Sequence, residues 1–372
     1  MTGEGASLPE LCGQLLVGGF AGTSLPASFA RELLAGRRGG AILFRRNCHE
    51  LGQVAELCAA ISAGASASAP PPIVGVDQEG GRVCRLPAPF FTLPAMRELG
   101  RIGDPALTGR AAEQVGRELH ALGFNTNFAP VLDVDTNPTS PVIGDRSFGS
   151  DPEHVARHGA AFVQGLQKGG VLACGKHFPG HGDAARDSHV ELPVVGQSRS
   201  RLDRVELVPF RAAIAVGVGA LMSAHVAYPA VEPELPATFS ARACTRLLRQ
   251  ELGYGGVLFS DDLEMGAISR RWNIEEAAVQ AVAAGCDVLL VCRDEGLQER
   301  AHRALIGRAE HDGAFRARCA QAAERAWRAR RAFASAPAGA ADEWRRIVGS
   351  REAQELAERI AQAVAARRRE KA

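Results

Sequence analysis

"GVLACGKHF", residues 170–178, decides how the chain is read. Val171 to Gly175 form an apolar run with no polar interruption, too short for a helix and opened by glycine. That reads as a strand buried on both faces. It stops abruptly on Lys176 and His177. Seven further runs repeat the design: "QLLVGGF" (14–20), "GGAILF" (39–44), "PIVGVD" (72–77), "TNFAPVLDV" (126–134), "GALMSAHV" (219–226), "GGVLFSDD" (255–262) and "CDVLLVC" (286–292). Amphipathic stretches such as 111–122 and 151–167 separate them. Buried strands alternating with helices imply a parallel sheet covered on both sides. Eight units predict an α/β fold of the closed (β/α)8 TIM-barrel kind rather than an open sheet. No GxGxxG follows the first strand, which weakens a dinucleotide-binding alternative.

Residues 1–372 read as a single domain, with the barrel over about 8–310 and a helical C-terminal extension over about 311–372. In that extension Phe315, Cys319, Ala322, Ala326 and Phe333 share a helical face, which predicts packing on the barrel. Its arginine clusters, "RAWRARRAF" (325–333) and "AARRREKA" (365–372), read as solvated helix faces. "SAPPP" (68–72) and "SAPAGAAD" (335–342) read as flexible connectors.

Hydrophobic content of 46%, 23% charge and a net charge of +1 describe an ordinary globular protein with no field for gathering nucleic acid or coating an anionic membrane. Nine scattered cysteines without a CxxC pair fit neither a disulfide framework nor a zinc ribbon. Cys174, Cys286 and Cys292 lie in apolar runs and read as small core residues. The N-terminus lacks a basic region before its apolar stretch, and no segment approaches a membrane span. A cytoplasmic protein is expected, with neither nucleic acid nor membrane as partner.

The strand ends carry the chemistry. Asp77 and Glu79 follow the third run, Asp133 and Asp135 the fourth, Lys176 and His177 the fifth, His225 the sixth, and Asp261 and Asp262 the seventh. In such a barrel these ends ring one pocket. The densest stretch is "KHFPGHGDAARDSH", 176–189. His177, His181, Asp183, Asp187 and His189 have metal-ligand chemistry, but barrel metallohydrolases usually place paired histidines on the first strand, which has none. A plain turn shaped by Pro179, Gly180 and Gly182 is the bland alternative. An acid–base reading is the third: Asp187 and His189, separated by one residue, can lie on one side of an extended loop, the carboxylate favouring the protonated imidazole. In "FSDDLEM" (259–265) the bland reading is a helix cap; the functional one is a carboxylate facing a proton donor, as a retaining glycosidase requires. Alternation places Asp261 with Val257 and Phe259 and leaves open which face lines the pocket. "VGVDQEGGRVCRL" (74–86) is a salt-bridged turn or a sugar clamp, with Asp77 accepting from hydroxyls and Arg85 donating; "IGDRSFG" (143–149) adds Arg146.

"DQEGGRV", "DRSFG", "KHFPGHGDAARDSH" and "FSDDLEM", in this order, resemble glycoside hydrolase family 3, in its bacterial β-N-acetylhexosaminidase branch, from the first strand to about Cys292. The resemblance implies Asp261 as nucleophile, His189 as acid/base with Asp187 orienting it, and Asp77, Arg85, Arg146, Lys176 and His177 as substrate-binding residues. It implies no metal and no cofactor. The expected activity is that of a retaining exo-β-N-acetylglucosaminidase. The expected substrate is a muropeptide fragment with N-acetylglucosamine β-1,4-linked to anhydro-N-acetylmuramic acid, the expected setting peptidoglycan recycling, and the expected state a monomer. A metal-dependent barrel hydrolase and a non-catalytic sugar-binding barrel are the competing readings.

Overall fold

The structure, a computed structural model, describes residues 6–65, 70–140, 142–334 and 343–370. Among these, eight parallel strands close a barrel: β1 (Leu16–Gly18), β2 (Gly40–Leu43), β3 (Ile73–Val76), β4 (Thr126–Asn127), β5 (Leu172–Phe178), β6 (Ala220–Ser223), β7 (Val257–Asp262) and β8 (Val288–Val291). Each pairs in parallel with its sequence neighbours, and β8 pairs with β1. All eight expected runs contain one of these strands. The run at 126–134 pairs over two residues and then follows β5 more loosely, through Cys174 N to Ala129 O (3.0 Å) and Lys176 N to Pro130 O (3.0 Å). Pro130 has no N–H to give back, so a regular ladder cannot form there.

The helices that follow the strands are α1 (Ala27–Leu34), α2 (Leu51–Ala63), α3 (Pro105–Ala121), α4 (Pro152–Lys168), α5 (Val208–Ala215), α6 (Arg242–Glu251, of π type), α7 (Ile274–Ala284) and α8 (Glu295–His311), alongside shorter helical turns. Two starts are legible in the sequence as Asp-Pro. Asp104 and Asp151 accept the amides of Leu107 (3.0 Å) and His154 (2.6 Å), while Pro105 and Pro152 occupy a first position that needs no donor.

The barrel interior is packed shut. Val17, Ile42, Phe128, Cys174, Met222 and Phe259 belong to its apolar cluster, and the Phe128 and Phe259 rings meet edge to face with centroids 5.3 Å apart. Val257 and Phe259 point inward whereas Leu258 joins the shell under the helices. Alternation therefore carries Asp261 to the interior.

After α8 the helix α9 (Gly313–Ala332) closes the N-terminal end of the barrel. The expected face packs as read: Phe315, Cys319, Ala322 and Ala326 are buried, and Phe333 just beyond is partly covered. The reading of 325–333 as solvated holds for Arg328 and Arg331, which are exposed, and is corrected at Arg325 and Arg330. Arg325 Nη1 lies 3.0 Å from the buried Asp287. Arg330, 3% exposed, donates to Pro71 O (2.6 Å), Pro70 O (2.8 Å) and Gln14 Oε1 (2.7 Å). These arginines find carbonyls and a carboxylate exposed at the barrel base, contacts that a helical wheel cannot show. A final helix, α10 (Arg351–Arg369), docks through Ala353 and Ile360. The connector at 335–342 and part of that at 68–72 lie outside the described residues. Among the described residues no helix is long and apolar enough to cross a membrane.

Candidate active site

β5 puts Lys176 at the centre of the C-terminal barrel mouth. Its buried Nζ lies 2.7 Å from Asp77 Oδ1 and 2.6 Å from Glu79 Oε1. Burial alone would lower its pKa; the two carboxylates reverse this, and the net shift is upward. Glu79 also takes a two-pronged contact from Arg146, Nε at 2.9 Å and Nη2 at 2.8 Å. Burial works against its charge, yet Arg146 and Lys176 hold the carboxyl far below its usual range. Asp77 keeps capacity to spare, since Arg85 Nη2 stands 3.9 Å from its second oxygen.

Asp133, at the end of the fourth run and wholly buried, organises the other side. It accepts His177 Nδ1–H at 2.7 Å and the His181 amide at 2.6 Å. Burial raises its pKa, but His177 and His181 outweigh that and the carboxyl stays low. With Nδ1 engaged, His177 has Nε2 left for the pocket. The loop that follows depends on glycine at two points. Gly180 has φ +137°, and a Cβ on Gly182 would overlap the Val134 carbonyl.

That loop is then sewn onto the helical turn Gly266–Ser269 that follows β7. His181 Nε2 meets Ser188 Oγ at 3.1 Å, while the Ser188 and His189 carbonyls accept the amides of Ala267 (3.0 Å) and Gly266 (3.1 Å). Burial, with His177 adding to it, brings His181 down to about 4, so its ring is neutral at pH 7. Asp187 and His189 do meet, though in a tight turn and not in the extended loop expected. Asp187 Oδ1 accepts both the His189 amide (2.8 Å) and its ring Nδ1–H (2.7 Å), and Val190 N returns to Asp187 O (3.0 Å). A turn with its carboxylate bonded two residues on is a local preference of aspartate. Burial opposes the charge of Asp187, but these bonds keep its carboxyl low. The His189 side chain is 64% exposed and presents Nε2 at the rim.

Asp261 and Asp262 end β7 in different electrostatic settings. Burial favours the neutral form of Asp261, but His225, His177, the Asp262 amide (2.8 Å) and Lys176 overcome it and lower the pKa. Asp262 is pushed up to about 7 by burial and by Glu264, despite accepting the Glu264 (3.1 Å) and Cys292 (3.3 Å) amides.

Seven of the expected residues (Asp77, Arg85, Arg146, Lys176, His177, His189 and Asp261) line one pocket of about 340 Å³, and Asp187 stands behind His189. Sequence reading missed Glu79 and Asp133 as organisers. Both were visible as strand-end carboxylates, but nothing local announces their partners. The five residues considered as metal ligands do not converge: His177 is held by Asp133, His181 by Ser188, and Asp183 by Thr136 (3.0 Å) and Gln197 (2.9 Å). Among the described residues no group of three His, Cys, Asp or Glu side chains could hold a metal ion.

The chain is 44% identical over 280 residues to a β-hexosaminidase of Nitrosomonas eutropha, covering 74% of this chain and 79% of that one. It is 45% identical over 288 residues to a β-hexosaminidase of Pseudomonas aeruginosa, 76% and 84% of the two chains. A solved glycoside hydrolase family 3 β-N-acetylglucosaminidase from Paenibacillus superposes with a TM-score of 0.89 at 43% identity, over 96% of this chain and 69% of that one. NagZ of Neisseria gonorrhoeae in complex with N-trifluoroacetyl-D-glucosamine superposes with a TM-score of 0.76 at 34% identity, over 94% and 98%. Residues 8–328 match the glycosyl hydrolase family 3 N-terminal domain, and the chain belongs to that family.

Proposed function

We propose that the protein is a retaining exo-β-N-acetylglucosaminidase that removes terminal N-acetylglucosamine from muropeptide fragments of the cell wall. One observation carries the reading. A half-buried carboxylate held below its usual pKa, Asp261, lies in the same pocket as a clamp of Asp77, Arg85, Arg146, Lys176 and His177, with a His–Asp pair on its rim. The relatives' names supply the sugar. Asp261 attacks the anomeric carbon while His189 Nε2 protonates the departing oxygen; Asp187 fixes the ring through Nδ1 and stabilises the imidazolium. Water then attacks the glycosyl ester, His189 takes its proton, and two inversions return the original configuration. Lys176, His177, Asp77, Arg85 and Arg146 hold the sugar. On this reading the chain works as one catalytic domain, as a monomer, in the cytoplasm, without metal or cofactor.

The test is turnover of an aryl β-N-acetylglucosaminide against the matching β-glucoside. Strong preference for the acetamido sugar is expected, with retained anomeric configuration in the first-formed product. Turnover of neither would leave a sugar-binding barrel, and abolition of activity by a chelator would leave a metal hydrolase.

A further inference from the structure

His225 is a strand-end histidine that the proposed mechanism leaves without a task. It is buried just beyond β6. On the β6 flank the pairing of β7 ends at Phe259, opposite Met222; on the β8 flank the register slips between Phe259 and Asp262. The part of β7 that bears Asp261 therefore lies past the regular ladder on one side and along an irregular one on the other. A side chain takes over there. His225 Nε2 donates to the Asp262 carbonyl at 3.0 Å. Its Nδ1 meets Thr238 Oγ1 at 2.8 Å, and that hydroxyl lies 3.0 Å from both Ser223 Oγ and the Ala224 carbonyl. Both ring nitrogens are engaged, so the ring cannot turn without losing two bonds, one buried and one partly buried. The amide of Asp262 in turn donates to Asp261 Oδ1 at 2.8 Å.

We infer that His225 is a positioning residue for Asp261: it replaces the missing ladder bond at the end of β7 and, through the main chain of Asp262, sets how the carboxylate faces the pocket. The inference rests on the reading of Asp261 as nucleophile. Asp262 is the link, its carbonyl anchored to the imidazole and its N–H holding the reacting side chain. There is an electrostatic consequence as well. Asp261, His177 and His189 face the His225 ring from β7, β5 and the loop; Asp261 itself is faced by His225, His177 and Lys176, with Asp262 beside it. Burial lowers the pKa of His225, and when the ring does carry a proton its charge favours ionised Asp261. Without the ring, Asp261 takes up its proton at higher pH.

The experiment compares His225→Phe, His225→Gln and Thr238→Val on an activated aryl β-N-acetylglucosaminide, with thermal melting as the check on folding. In His225→Phe, kcat should fall at least about tenfold with KM changed less than about threefold, because the loss is in presenting the nucleophile and not in holding the sugar. The acid limb of kcat/KM should move to higher pH. His225→Gln can still offer an N–H to the Asp262 carbonyl and should recover most of kcat. Thr238→Val, which removes the brace on Nδ1, should show a smaller loss in the same direction, and it decides the matter if His225→Phe does not fold. A folded His225→Phe with kcat within about twofold of the unaltered enzyme overturns the inference. So does a Gln variant as impaired as Phe with an unmoved acid limb, since that pattern means packing alone. Absence of turnover by the unaltered enzyme would instead sink the functional reading itself.

Discussion

The two ends of the barrel each gather a cluster of charge, and they differ in how far its carboxylates are satisfied. At the N-terminal end Asp287, fully buried, receives Arg318 (2.7 Å) and Arg325 (3.0 Å) on one oxygen and Arg249 (2.6 Å) and the Leu258 amide (3.0 Å) on the other. Four donors fill a carboxylate's acceptor capacity. At the C-terminal end Asp77 has one oxygen short of a direct partner, and Asp261 receives the amide of Asp262 on one oxygen. A completed cluster locks helices to strands. An incomplete one beside a cavity is held ready for polar groups that the protein does not itself supply.

Breaking the reactive end should give the largest effect. Asp261→Asn should lower kcat by several powers of ten, each about 1.4 kcal/mol of barrier, while the melting temperature stays near that of the unaltered protein. An inactive Asp262→Asn beside an active Asp261→Asn would reverse the assignment. His189→Ala should cost about 10²–10⁴ where the leaving group is a sugar alcohol, and far less with an acidic phenol that departs unprotonated. Asp187→Ala should follow the same trend more mildly. Plotting kcat/KM against leaving-group pKa tests both, and equal losses on all substrates would move the proton donor elsewhere.

Breaking the other end should spare chemistry and cost stability. Asp287→Ala strands three guanidinium groups and should destabilise by about 3–5 kcal/mol, read by denaturant melts, with near-normal kcat for the folded fraction. Loss of kcat with unchanged stability would show that the base of the barrel is coupled to the mouth. The smallest effect sharpens the contrast. Burial, with Glu264 and Asp261 nearby, lifts Asp262 to about 7. Between about 4, its unfolded value, and 7 the folded state retains a proton that the unfolded chain has lost, so stability falls as pH rises through that window. Asp262→Asn removes the fall and should raise the melting temperature by a few degrees more at pH 8 than at pH 5. Equal changes at both values would mean that Asp262 does not titrate there.

Much of this was legible in one dimension. A buried parallel strand must be apolar on both faces, so its polar end marks where the barrel opens, and eight such runs foretold both the closed sheet and the ring of strand-end groups. Local chemistry was legible too: Asp-Pro helix starts, the glycines of 176–189, and an aspartate two residues from a histidine that bonds back to it. What failed was pairing at a distance. The sequence shows Glu79 and Asp133 as strand-end acids, 97 and 44 residues from Lys176 and His177, but not that these are their partners. Arg325 and Arg330 look like solvated arginines on a polar helix until the barrel base presents Asp287 and bare carbonyls to them.

The choice between Asp261 and Asp262 draws the same line. Alternation along β7 ties Asp261 to Val257 and Phe259 whatever the fold, because successive side chains leave a strand on opposite faces. Which face is the interior, which carboxylate His225, His177 and Lys176 keep ionised, and which one burial lifts to about 7 depend on charges brought together from separate strands. Periodicity is a property of the chain itself. A local field belongs to the folded molecule, since Coulomb energies follow distance in space and burial, neither of which sequence separation measures.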